Sequence, residues 1–202
     1  EGASVEGLVS LPSLFRSPLW EDLSRAVDAH RAWTEQRHVE MVEIPAPTFH
    51  ERERAAWMES QFHSLGLKNV RVDEAGNVLG DLPGHSGQAA KPRRRIWVTA
   101  HLDTVFPSGT PIQVVRDGGR LLAPGINDNG AGLSALLTLV RILQQRPVET
   151  KLSIRFAANV GEEGEGDLRG MRHLFSTAEA KRSAEAVLIL DGPGVEHITN
   201  SA

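Results

Sequence analysis

Apolar positions along the chain change period several times, and each change marks an element. From Trp20 to Val42 the spacing is helical, and Pro45 and Pro47 break it. A second helix follows, with Ala55, Met58, Phe62 and Leu65 on one face and Gly66 as its stop. Thr48 and Glu51, three residues apart, form the expected capping box at its start. Val70 and Val72, then Val78, flank Glu74-Ala75-Gly76-Asn77 and predict a small hairpin. A second hairpin is expected over 112–123, turning at Asp117-Gly118-Gly119.

Ile96 to Ala100 reads as a buried strand. From Gly130 to Arg146, Leu133, Leu136, Leu137, Val140 and Leu143 make the apolar stripe of a helix that Pro147 ends. Leu152 to Val160 reads as a strand, 168–182 as helical and Ala186 to Leu190 as an apolar strand. Residues 1–19, with Pro12 and Pro18, read as an irregular arm. Residues 83–95 read as a polar surface loop with a basic end. The alternation in the second half predicts an α/β fold, a mostly parallel central sheet flanked by helices.

Composition narrows the chemistry. The 202 residues contain no cysteine, so disulfides and thiolate metal sites are excluded and any metal must be held by His, Asp and Glu. A formal charge of −4 gives no footprint for nucleic acid or an anionic membrane. No stretch approaches the ~20 apolar residues of a membrane span, and residues 1–20 lack the pattern of a secretory signal. A cytoplasmic protein is the expectation, although the chain opens on Glu1 and the native start is expected to be missing.

In parallel sheets, sites form beyond the carboxyl ends of the strands. His101-Leu102-Asp103 follows one predicted strand, Gly161-Glu162-Glu163-Gly164 another and Asp191-Gly192 a third. Asn127-Asp128-Asn129-Gly130 precedes a helix. Taken singly, each has a commoner structural explanation: a core histidine, a helix cap, a solvated acidic loop. Together, so many carboxylates at one sheet edge require a cation. His with carboxylates suits zinc. Asp103, two residues on in extended chain, is placed to take the other imidazole N–H of His101. Adjacent Glu162 and Glu163 suggest that one binds metal and the other moves the proton of a water. A serine-hydrolase elbow, a phosphate loop and a dinucleotide fingerprint are all absent from the sequence.

Four segments, A-H-L-D-T-V-F-P (100–107), P-G-I-N-D-N-G-A-G (124–132), N-V-G-E-E-G-E-G (159–166) and L-D-G-P-G (190–194), resemble in order and context the M20 family of co-catalytic dizinc metallopeptidases. I-P-A-P-T-F-H-E-R-E-R-A (44–55) resembles that family's N-terminal helical region. The resemblance implies hydrolysis of a peptide or related amide bond, with a peptide or acylated amino acid as substrate. It implies Zn²⁺, two per complete site, with Mn²⁺ or Co²⁺ as substitutes. His101 and Asp191 would bind the first zinc, Asp128 would bridge, and Glu163 would bind the second. Glu162 would be the general base, with Asp103 behind His101. A cis peptide is expected at Asp128–Asn129.

Asp rather than Glu at 191, and the Gly-Glu-Glu-Gly-Glu-Gly loop, resemble the aminopeptidase and tripeptidase branch more than the deacylases and carboxypeptidases. Family members continue after the position of Asp191 into a lid domain and a return segment that supplies a second-site His. Residues 20–202 are therefore expected to be the N-terminal portion of a catalytic domain, with an exposed apolar face where the rest would pack. An inactive metal-binding fragment is the alternative expectation. His173 and His197 do not stand in the context of the missing ligand. The resemblance would place a homodimer surface in the longer parent rather than in these residues.

Overall fold

The computed structural model describes residues 11–84, 94–146 and 150–191. Three strands form its parallel centre: β3 (Arg95–His101), β6 (Ser153–Asn159) and β7 (Ala184–Ile189). β3 lies between the other two and pairs parallel with both. The hairpin β1 (Lys68–Val72) and β2 (Val78–Leu82) adds two antiparallel strands beside β6, giving the order β1-β2-β6-β3-β7. The second expected hairpin also forms, as β4 (Val115–Asp117) and β5 (Arg120–Leu122).

β3 is buried on both faces, and successive side chains serve different cores. Val98 and Ala100 point into the larger core with Met58 and Phe62 of α3 (Arg52–Ser64) and Leu133, Leu136, Leu137 and Val140 of α4 (Gly130–Gln145). Trp97 points into a smaller core with Leu79, Ala157 and Leu174, the last from α5 (Arg169–Leu174). A long helix, α2 (Pro18–Val42), packs along α4, and Thr34 and Thr138 share a 2.7 Å hydroxyl hydrogen bond between them.

Three expectations change. The predicted arm is partly helical: α1 (Leu11–Leu14) forms, and α2 starts at Pro18, where Ser17 accepts from the Trp20 N–H. Proline at a first helical position loses no hydrogen bond, so Pro18 starts the helix instead of delaying it. The single helix expected over 168–182 is two, α5 and α6 (Ala178–Ser183), because Thr177 caps a new start at the Ala180 N–H. The Thr48–Glu51 capping box is absent. Glu51 itself occupies the cap position of α3 without a side-chain cap bond, and both side chains turn to the site described below. Most of the 83–95 loop lies outside the described residues.

Among the described residues β7 is an edge strand of the sheet, and its Val187, Leu188 and Ile189 are solvent-exposed. No helix among the described residues is long and apolar enough to cross a membrane.

One polar pair fastens the mixed part of the sheet. Asp81 and Arg155 lie directly opposite on β2 and β6, joined by hydrogen bonds of 2.7 and 2.8 Å. Burial alone would raise the Asp81 carboxyl, but the Arg155 hydrogen bonds, helped by Asn69 and Arg95, hold it below its ordinary value. A depressed acid stabilises the folded state above its unfolded pKa, and that stability is lost as pH falls through the depressed value. Asp81→Asn should therefore cost about 2 kcal/mol at pH 7, the scale of a hydrogen bond to a charged group. It should cost progressively less at acid pH, as the wild-type carboxyl also protonates through its depressed value. Urea unfolding at neutral and at acid pH reads the difference.

Candidate metal centre

Parallel register brings the strand ends to one level. His101 pairs with Asn159 and Thr99 with Ile189, so the loops after β3, β6 and β7 leave the sheet side by side. Two backbone bonds continue the alignment: Leu102 N–H to Asn159 O at 2.7 Å and Leu190 N–H to Thr99 O at 2.8 Å. The loop before α4 joins them through Asn129. Its side-chain amide donates to Leu190 O at 2.9 Å, and its Oδ1 accepts from the Gly132 N–H to cap α4. The Asp128–Asn129 peptide is cis.

His101 is the centre of the cluster. Its side chain is 2% exposed. Nε2 lies 2.9 Å from Asp128 Oδ1 and 3.6 Å from Asp191 Oδ1. Ligand atoms of His101, Asp128 and Glu163 all lie within 4.8 Å of one another. Nδ1 sits 3.0 Å from the backbone oxygen of Asp103 and 3.6 Å from its carboxylate. The ring is thus oriented first by the Asp103 main chain, where the sequence argued for the carboxylate.

The Asp103 carboxylate is instead occupied by the neighbouring loop. Oδ1 accepts from the Glu162 N–H, and Oδ2 from the Glu163 N–H and the Thr48 hydroxyl, each at 3.0 Å. A residue wholly inaccessible to solvent therefore sets the main chain of both glutamates. Arg54 supports the His101–Asp103 segment. Fully buried, it donates to Leu102 O at 2.8 Å and to the carbonyls of Val42 and Ile44. Burial lowers its pKa to about 10, against the opposing pull of Asp103, and it stays a cation beneath the acidic site. Sequence reasoning missed Arg54. Its only signal was a basic residue at a core-facing position of α3, four residues before Met58.

Electrostatics fit a site built for a cation. Burial would lower the His101 imidazole, but Asp103, then Asp191 and Glu162, raise it to about 9. Burial raises the carboxyl of Glu162, with Asp191, Asp103 and Asp128 adding to it against His101. Burial likewise raises Glu163, with Asp128 the strongest charged contributor. These carboxylates repel one another, and a divalent ion removes that cost. The donor set, imidazole nitrogen with carboxylate oxygens, suits zinc.

The structure therefore brings His101, Asp103, Asp128, Glu162, Glu163 and Asp191 to one sheet edge. His173 is elsewhere, 3.7 Å from Asp73 on a groove lined by Trp97 and Arg155. His197 lies outside the described residues.

Residues 77–200 match the model of peptidase family M28. The uncharacterized protein YqjE of Bacillus subtilis is 29% identical over 135 residues, 63% of this chain and 36% of that protein. A putative [LysW]-lysine/[LysW]-ornithine hydrolase of Pyrococcus abyssi is 33% identical over 125 residues, 62% of this chain and 32% of that protein. The match thus spans about a third of the length of these curated relatives. Among solved structures, aminopeptidase PepT from Bacillus cereus superposes with a TM-score of 0.62 at 24% identity, over 80% of this chain and 43% of that one. At that identity the likeness speaks for the fold.

Proposed function

We propose that this chain, which belongs to peptidase family M28, supplies the metal-binding and proton-transfer residues for hydrolysis of a peptide or related amide bond. The observation that carries the reading is the gathering of ligand atoms of His101, Asp128 and Glu163 within 4.8 Å of one another, with Asp191 beside His101. His101 and Asp191 would hold one divalent cation, Glu163 a second, and Asp128 both. When bound, such cations lower the pKa of water and polarise a carbonyl oxygen. Residues 20–202 would form the N-terminal portion of the catalytic domain.

Glu162 does the proton work in this reading. It takes a proton from the attacking water and delivers it to the leaving amine nitrogen. A carboxylate beside the water can accept that proton and return it. Its direction is set by Asp103, which fixes the Glu162 N–H. His101 keeps its Nε2 aimed at Asp128 because Nδ1 is engaged by the Asp103 main chain.

The finer assignment rests on sequence. The four motifs and Asp191 support an M20-like aminopeptidase or tripeptidase, the co-catalytic zinc fold being common to M20 and M28. The hydrolase name of the Pyrococcus relative supports the neighbouring reading, cleavage of an acylated amino acid.

Elemental analysis after dialysis tests the metal reading. At least one zinc per chain is expected, and His101→Ala should remove it. A wild-type chain that retains none, and shows no thermal shift when zinc is added, overturns the reading.

A further inference from the structure

Three consecutive amides of the Glu162–Glu163 loop each end on a buried carboxylate. Asp103 takes the N–H groups of Glu162 and Glu163. The third, Gly161 N–H, donates to Glu51 Oε1 at 3.1 Å. Glu51 comes from a distant stretch, the cap position of α3, and is 3% exposed. A buried carboxylate needs a counter-charge, and Arg169 provides it. Its Nη2 lies 2.8 Å from both Glu51 oxygens, and its Nη1 donates to Ala75 O at 2.6 Å.

Arg169 also closes the loop from its far end. Its main-chain N–H donates to Gly161 O at 3.1 Å. Its side chain lies against Gly161 so closely that a Cβ there would come within 2.5 Å of Arg169 Cγ. Gly161 has φ +61, and Asp167 and Leu168, just before Arg169, have φ +49 and +56. Non-glycine residues rarely adopt that region, and two in succession persist only where surrounding contacts enforce them. The loop from 161 to 169 is thus pinned at both ends by one ion pair, its carboxylate buried and its guanidinium partly exposed.

We propose that the Glu51–Arg169 pair is a positioning clamp that holds the Gly161–Glu163 main chain against Asp103, so that Glu163 reaches the metal and Glu162 faces the substrate. This rests on the reading of Glu163 as a metal ligand. Glu51 and Arg169 are not among the residues grouped for the metal, and in this proposal they act through the loop. The clamp also explains why the residues expected to cap α3 do not: Glu51 is drawn to Gly161 and Arg169, and Thr48 to Asp103.

The test is a double-mutant cycle read in zinc affinity, by chelator competition on the whole chain, together with amide hydrogen exchange. Arg169→Met should weaken zinc binding about tenfold. In a Glu163→Gln background the same change should have less than a twofold effect, because the ligand it positions is gone. Exchange at the amides of 161–163 should quicken at least tenfold, with α4 unchanged. Glu51→Gln, close in shape, should act in the same direction and serves if Arg169→Met does not fold. Equal losses of zinc affinity in both backgrounds, or unchanged exchange at 161–163, overturn the clamp. If Glu163→Gln alone leaves zinc affinity untouched, the ligand assignment fails, and the clamp's role in metal binding fails with it. The exchange data separate that failure from a clamp that does not hold the loop.

Discussion

Glu162→Gln should lower peptide-bond turnover on the order of a thousandfold, within the range lost with a general acid–base group, and leave zinc content unchanged. The substitution keeps size and hydrogen-bonding capacity but cannot take or return a proton. The fall should appear in kcat, because in the proposed role Glu162 acts on the reacting water and leaving amine and not on the resting substrate. The Glu162 N–H bond to Asp103 is main-chain and survives the change, so the loop keeps its place. Steady-state kinetics in the peptidase-active form of the protein, with zinc measured on the same sample, decide it. Turnover near wild type would remove Glu162 from the proton-transfer role. Lost zinc would instead mark it as a ligand.

The parts legible in the sequence were those with a local periodic signal. The α4 stripe, the β3 and β6 runs and both hairpins announce themselves within a dozen residues. The loops at the strand ends followed, because parallel strands in register must deliver His101, Glu162 and Asp191 to one edge. What could not be read was which long-range partner each polar residue would take. Thr48 and Glu51 have capping-box spacing, and nothing nearby reveals that Asp103, Gly161 and Arg169 compete for them. Buried carboxylates and amides far apart in sequence outweigh a cap worth about 1 kcal/mol. Arg54 was hidden for the same reason. Its partners are main-chain carbonyls, which carry no side-chain signature.

A metal centre assembled from mutually repelling carboxylates is strained until the cation arrives, and Glu163 should show it. Glu163→Gln is expected to weaken zinc binding by at least tenfold while raising the melting temperature of the metal-free protein. The wild-type carboxyl is pushed up first by burial and then by Asp128, so its charged form is disfavoured in the folded state. Its sign is opposite to that of Asp81: an acid raised by folding destabilises the fold as pH rises through its unfolded value and beyond. Glutamine removes that charge and leaves the main-chain bond to Asp103 intact. Saturating zinc should reverse the order, stabilising wild type by RT ln(1 + [L]/Kd) and the variant by much less. Melting curves of both proteins with chelator and with excess zinc, at pH 7 and pH 5, read the crossing directly. A metal-free variant less stable than wild type at pH 7 would mean that Glu163 is held by favourable contacts of its own.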